Sequence, residues 1–308
     1  PKYIFGQCWL TLAVALGDGC AVPIVSRLIS TTSNTGKLRA ANVILRVMRS
    51  VLCEIKTTLL VDSWFMRKTL ILPTLKLGLN VIGQVRSDTA LFDIPDTPEI
   101  KQRGRPRIYG DKFTRECILG LPAKRINLFI YNRQQWVHYR HIVAKARFLK
   151  GRVVSVVFCQ FEDKDGKLSK PRMILSTNIT LQPQAILEQY AKRWTIEPMF
   201  NQLKNSWGMN TVWQQSRQVL SRWVQIVTIS YAIPQMLAHL GDDEMKSLMV
   251  HTPWRKDNPV TAGRIRAGLI RIFGHFHVRS WWDPKSRKFE PPNEPLLDEK
   301  YSRLPKAS

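Results

Sequence analysis

Apolar positions in the first 85 residues recur in two rhythms. Residues 4–16 (IFGQCWLTLAVAL) and 20–29 (CAVPIVSRLI) are apolar, β-branched runs joined by Gly17-Asp18-Gly19. Glycines beside an aspartate supply the positive φ of a tight turn, so these runs predict a hairpin that holds Asp18 in its turn for conformational reasons. After polar residues 30–36, Leu38, Val43, Ile44, Val47, Met48, Val51 and Leu52 fall at helical spacing with Arg39, Arg46 and Arg49 between them. That pattern predicts an amphipathic helix over 37–54. Residues 57–61 then read as a short buried strand ending at Asp62, followed by a helix over 64–77 and a strand over 79–85. A carboxylate at the carboxyl end of such a strand stands where open α/β sheets bind ligands. Asp62 also suits a helix N-cap, a role Ser63 could fill equally well.

Beyond Arg86 the pattern changes to strands, at 126–131, 135–147, 151–161 and 171–178, the last two joined by the turn-rich Asp163-Lys164-Asp165-Gly166-Lys167. This predicts a β-rich insertion over 86–180. Helical spacing resumes over 182–207 and stops before Gly208, a suitable C-cap. Pro198 lies inside that helix and predicts a kink at Glu197, because proline lacks an N–H and disfavours helical geometry in the residue before it. A long apolar helix follows over 213–240, and the proline- and charge-rich tail beyond Pro284 is expected to be poorly ordered.

Charge narrows the function. Among 308 residues, 47 Lys and Arg face 23 Asp and Glu, giving a net charge of +24 that attracts polyanions. With 44% hydrophobic residues and ten tryptophans, the chain also has material for a large folded core. Cys8, Cys20, Cys53, Cys117 and Cys159 contain no CxxC pair, so neither a disulfide framework nor a zinc site is suggested. His275 and His277, with His251 nearby, have no acids or cysteines at ligand spacing. The apolar run from Cys8 to Leu16 is too short to span a bilayer, and Val224 to Leu240 contains Gln225, Pro234 and Gln235 and reads as a buried helix. No membrane association and a cytoplasmic location are expected.

The most chemically loaded segment is Tyr190-x-x-Arg193-x-x-x-Glu197, with Lys204 seven residues further on. At about 100° per residue the four side chains fall within about 60° of one another on one helical stripe. One carboxylate is thereby ringed by a phenol and two cations. A solvated charged face would show the same spacing. In the basic loop, Arg103-Gly104-Arg105-Pro106 could lie extended in a narrow minor groove or simply be solvated.

Asp62 at a strand end, the β-rich insertion and the complete Tyr190, Arg193, Glu197, Lys204 signature together resemble the DDE transposases of bacterial insertion sequences. They look most like the group with the Tyr-Arg-Glu-Lys signature. The resemblance runs over residues 4–240. It implies an α/β fold, an RNase H-like mixed five-stranded sheet flanked by helices with a β-rich insertion domain. The divisions are then a first core part (1–85), the insertion (86–180), a second core part (181–250) and a C-terminal extension (251–308). The resemblance further implies that Asp62 and Glu197 are catalytic and hold Mg2+ or Mn2+, while Tyr190, Arg193 and Lys204 bind DNA phosphates. Arg103 and Arg105 join them as DNA-binding candidates, and Trp136 is a candidate for stacking on an unpaired base. The partners implied are DNA, both transposon ends and target, and a second copy in a homodimeric synaptic complex.

One departure stands out. The family needs an aspartate on its first core strand, yet the chain opens on what reads as the second, and no aspartate precedes Asp18. The expectation is therefore a transposase without its N-terminal segment and inactive in strand transfer. Two alternatives stay open: a non-catalytic remnant that binds element ends, and an RNase H-like nuclease.

Overall fold

The structure is a computed structural model describing residues 6–16, 19–29, 34–55, 57–96, 106–214, 216–240, 243–250, 260–274 and 281–290. The first hairpin forms as expected from β1 (Cys8–Ala15) and β2 (Ala21–Ile29), paired antiparallel. Its register slips between Leu12 and Ala13, where Ile24 has no opposite number beside Pro23. A bulge is one of the few places a strand tolerates a proline. Asp18, expected in the turn, lies outside the described residues.

The helix expected over 37–54 is two helices, α1 (Asn34–Val47) and α2 (Arg49–Glu54). β3 (Thr58–Val61) and β4 (Asn80–Val85) pair in parallel, with α3 (Lys68–Lys76) between them in sequence. α3 starts four residues later than expected, because residues 62–65 fold into a turn around the Asp62 carboxylate. Pro73 inside α3 cannot donate to the Thr69 carbonyl four residues back. Asn42 Nδ2 of α1 donates to that carbonyl instead, at 2.9 Å.

Among the described residues seven strands form one sheet, in the order β3-β4-β9-β8-β7-β5 with β6 on the flank of β7. The added strands are β5 (Leu91–Phe92), β6 (Lys124–Ile130), β7 (Arg133–Ala146), β8 (Arg152–Phe161) and β9 (Arg172–Ser176). A short helix, α4 (Arg115–Gly120), is capped by the Thr114 hydroxyl. Antiparallel pairing of β4 with β9 makes the strands of 86–180 a continuation of the sheet begun by β3 and β4. The expected α/β class holds, but the sheet is larger than five strands, and the hairpin β1–β2 stands apart as its own two-stranded sheet.

Both faces of the large sheet are covered. Leu38 and Leu45 of α1 and Leu70 and Ile71 of α3 pack with Ala144, Val154, Val156 and Leu175. On the other face Ile186, Leu187 and Tyr190 of α5 (Pro183–Ala191) pack with Val137, Tyr139, Val157 and Ile174. β8 is thus buried on both sides, which is why its middle (VVSVVFC) is apolar but for Ser155, whose hydroxyl is paired with the His141 ring at 2.8 Å. A third cluster joins the first hairpin to the later helices through Ala21, Met199, Leu203, Val224, Val227 and Tyr231.

The helix expected over 182–207 is interrupted. A 3-10 turn (Lys192–Thr195) separates α5 from α6 (Ile196–Asn205). The break falls just before the expected kink, which places Pro198 in the first turn of α6, where a missing N–H costs nothing. Gly208 follows with φ +72, in the left-handed region that suits a glycine after a helix end. α7 (Arg217–Leu240) contains Pro234, which frees the Ser230 carbonyl, and Trp207 Nε1 donates to it at 3.2 Å. α8 (Asp243–Leu248) and α9 (Ala262–Gly274) cross so closely that a Cβ on Gly268 would collide with the Leu248 carbonyl. Order extends past Pro284, since β10 (Trp282–Asp283) pairs with β11 (Lys288–Phe289); residues 291–308 lie outside the described residues.

Candidate catalytic site

Asp62 is the residue after the last of β3, and its side chain is exposed. Its Oδ1 accepts the backbone amides of Trp64 at 2.9 Å and Phe65 at 3.2 Å. The aspartate therefore builds a turn, not a helix cap, and this fixes one carboxylate oxygen while leaving the other outside those bonds.

Arg193 and Glu197 come from either side of the junction between the 3-10 turn and α6. Arg193 Nη2 donates to Glu197 Oε1 at 3.2 Å, and the glutamate side chain keeps 44% of its exposure. Glu197 lies in the first turn of α6, where the helix dipole favours a negative charge. The Arg193 guanidinium sits 5.8 Å from the Tyr190 ring centroid. Burial pushes the Tyr190 phenol above its ordinary pKa, Arg193 opposes that, and the charges of Tyr131 and Asp62 push the same way as burial. Burial of Arg193 favours its neutral form, but Tyr190 and Glu197 outweigh it and hold the guanidinium more firmly protonated than usual.

The fold thus brings Asp62, distant in sequence, near the segment that carries Tyr190, Arg193 and Glu197. Lys204 is less closely placed. It is exposed on α6, about 10 Å along the axis from Glu197, and makes no ion pair among the described residues. Arg103 and Arg105 lie outside the described residues, as do His251, His275 and His277. Trp136 already carries the Arg125 guanidinium 4.0 Å from its ring centroid, and Arg125 is held there by two bonds to Glu162 at 2.9 and 3.0 Å. One face of that indole is therefore taken.

Sequence reasoning passed over Tyr131. It forms the tip of the β6–β7 hairpin with Asn132, and both have left-handed φ values of 54 and 58. Its ring meets Trp194 edge-on at 6.3 Å and Phe161 at 6.2 Å. Burial raises its pKa, and it lies within the electrostatic reach of Arg172, Arg193 and Glu197. The signal available was Asn132 between two alternating runs, a residue that tolerates the left-handed turn. The Asn132 side chain packs on Gly19, where a Cβ would lie 3.1 Å from Nδ2, so this tip also touches the first hairpin.

A cleft of about 820 Å³ opens beside Asp62. It is lined by every residue of β1 and β3, by Asp62, and by Lys192, Arg193, Thr195 and Ile196. In the sheets β1 pairs with β2 and β3 with β4. Among the described residues each therefore presents its other edge unpaired, and the cleft lies between them.

The donor set can be tested against a divalent metal. Asp62 and Glu197 offer hard carboxylate oxygens, each with one oxygen engaged, and no group of three metal-ligating side chains occurs among the described residues. Mg2+ commonly takes one or two carboxylates and completes its shell with water and substrate phosphate, so these residues fit such an ion without forming an all-protein cage. No described helix is long and apolar enough to cross a membrane.

A comparison with curated proteins returns no match. The family model described as the transposase DDE domain matches residues 10–233, a span containing Asp62, Tyr190, Arg193, Glu197 and Lys204. With this match over most of its length, the chain belongs to the transposase DDE domain family, whose polynucleotidyl transferases carry out DNA transposition.

Proposed function

We propose that this chain is the greater part of an insertion-sequence transposase that cuts and joins DNA at the ends of its element. The observation that carries the reading is that Asp62 and Arg193 line one open cleft while Arg193 holds Glu197. Asp62 and Glu197 would hold Mg2+ or Mn2+, which supplies a lowered pKa for the attacking water or 3′-hydroxyl and charge stabilisation of the leaving oxygen. Arg193 serves two partners. In the free protein it pairs with Glu197; with a cation held by that carboxylate, its planar fork would be available to a DNA phosphate. Tyr190, kept protonated by burial, donates its hydroxyl hydrogen alongside. Lys204, about 10 Å further along α6, holds a neighbouring phosphate as a point charge. Arg103 and Arg105 extend the contact along the duplex, and a homodimer brings two ends together in the cytoplasm.

The cleft also supports an incomplete site. Two open strand edges facing one slot are the setting for a further extended strand, which would join the hairpin sheet to the large sheet by backbone hydrogen bonds. We infer that this strand brings the third carboxylate beside Asp62 and Glu197. The 308-residue chain without it binds ends but transfers strands poorly. A second reading, an end-binding protein that does not cut, is favoured by the same two open strand edges on the cleft.

Fluorescence anisotropy with a duplex carrying the element's terminal sequence, over a salt series, tests the binding half. Affinity should fall steeply with salt and fall further in Arg193→Ala, while Glu197→Gln binds nearly as wild type. A flat salt response, or indifference to Arg193→Ala, would place the DNA elsewhere. Robust Mg2+-dependent cleavage by the purified 308-residue chain would overturn the incomplete-site reading, and its loss in Glu197→Gln would then separate cutting from binding.

A further inference from the structure

α7 packs against β2, α6, α8 and α9 but leaves one stripe exposed. Leu220, Val224, Val227, Thr228 and Tyr231 are buried, the central ones against α6 and the first hairpin. On the opposite side Ile226, Ile229, Ile233, Met236 and Leu240 are each between 49% and 64% exposed. They follow one another at steps of three, four, three and four residues, the 3.5-residue repeat of a helix seam. At 1.5 Å per residue the stripe is about 21 Å long. Small side chains flank it at Ser230 and Ala232, so another helix can approach closely.

The charge pattern is equally selective. From Trp223 to Leu240 there is no Lys, Arg, Asp or Glu, in a chain with 23% charged residues and a net charge of +24. The free side of a solvent-facing helix is ordinarily charged. A row of large apolar side chains left to water instead marks an interaction surface.

We propose that this seam packs against the same seam of a second copy of the chain. The 3.5 repeat calls for a helical partner with the same repeat, and an identical stripe related by a two-fold axis supplies one. Isoleucine at 226 and 233 with a partner residue at 229 and 236 alternates in the a and d manner of a two-helix seam. Charge points the same way: two such basic chains repel each other across most of their surfaces, and the uncharged side of α7 is where approach is least opposed. Pairing the stripes would cover on the order of 1,000 Å² in total, the lower limit for a specific interface. This places the homodimer of the proposed function on one named surface, and it does not depend on cutting chemistry or on the cleft.

Sedimentation velocity at high salt, without DNA or metal, tests it. The wild-type chain should show a species of twice the 35.6 kDa of one chain. Ile229→Glu and Ile233→Glu should each weaken the dimer at least tenfold, whereas Phe129→Glu, at an exposed position on β6, should not. Hydrogen exchange on the unaltered protein gives a readout free of folding defects: amides over 226–240 should gain protection as concentration rises. A wild-type monomer, a dimer insensitive to both α7 substitutions, or concentration-independent exchange over 226–240 would each overturn the proposal. Because DNA is absent, failure here leaves the DNA reading standing, and failure of the anisotropy test leaves this one standing.

Discussion

Replacing Gly83 by alanine tests how tightly the strand beneath Asp62 is held. Gly83 of β4 lies opposite Val61 of β3 in the parallel register, and Val61 immediately precedes Asp62. A Cβ at Gly83 would press on the Met66 thioether sulfur, 2.8 Å from Met66 Cγ and 2.9 Å from Val61 Cγ2. Carbon atoms pack best at about 3.5–4.0 Å, so Val61 must retreat by about 0.6 Å or more. Met66 can bend away, but a β-branched valine has little rotamer freedom to do so. Overpacking of this kind costs about 1–3 kcal/mol. Relief of the glycine's unfolded-state entropy offsets about 0.5–1 kcal/mol. The midpoints of the two terms leave a net loss of about 1.25 kcal/mol, a Tm lower by about 2–5 °C for a chain of this size. Thermal unfolding followed by circular dichroism, paired with urea titration, reads both numbers. A variant that melts at or above wild type would refute the reasoning, because it would show that the β3–β4 packing does not constrain Val61 or the carboxylate after it.

Three other outcomes follow from packing and charge. The Glu162 carboxyl is held below its ordinary value of 4.5 by hydrogen bonds from Arg125 and then His138; its stabilisation is present above 4.5 and lost as pH falls through the depressed value, so urea midpoints of Glu162→Gln should be less acid-sensitive over that window than wild type. Trp207→Phe removes the donor to the Ser230 carbonyl that Pro234 leaves free, and should cost about 1 kcal/mol; adding Pro234→Ala restores a backbone donor, so a double-mutant cycle should show coupling between the two sites. Burial pushes the Cys159 thiol up to about 12, whereas Cys117 is exposed; mass spectrometry after iodoacetamide should find Cys117 modified promptly and Cys159 only on unfolding.

Much of the fold was legible because local periodicity and packing agree. The hairpin of β1 and β2, the strand that ends at Asp62 and the strands β6 to β9 all appear in the alternation or continuity of apolar residues, within a few positions. The interruption at Lys192–Thr195 was harder. Pro198 announces a break, but whether the helix bends at the proline or stops a turn earlier depends on where the freed carbonyls find donors, which a sequence does not display. The same holds for Pro73 and Pro234, whose orphan carbonyls are met by Asn42 and Trp207 from other elements. Pairing of β4 with β9 joins segments 90 residues apart, and apolar runs do not specify their partners at that distance. In the site, Tyr190, Arg193 and Glu197 were visible because they share one local segment, and Asp62 because of its strand end. Tyr131 reaches the same place only through the tertiary docking of a hairpin tip.

In the proposed site Asp62 and Glu197 share one divalent cation. Fe2+ with ascorbate, substituted for Mg2+, cuts the backbone near its binding site, and the fragments can be mapped by mass spectrometry on the folded 308-residue chain. Cuts beside Asp62 and beside Glu197, both lost together in either Asp62→Asn or Glu197→Gln, are the predicted result. Cuts at neither position, or cuts near Glu197 that persist in Asp62→Asn, would contradict a shared site.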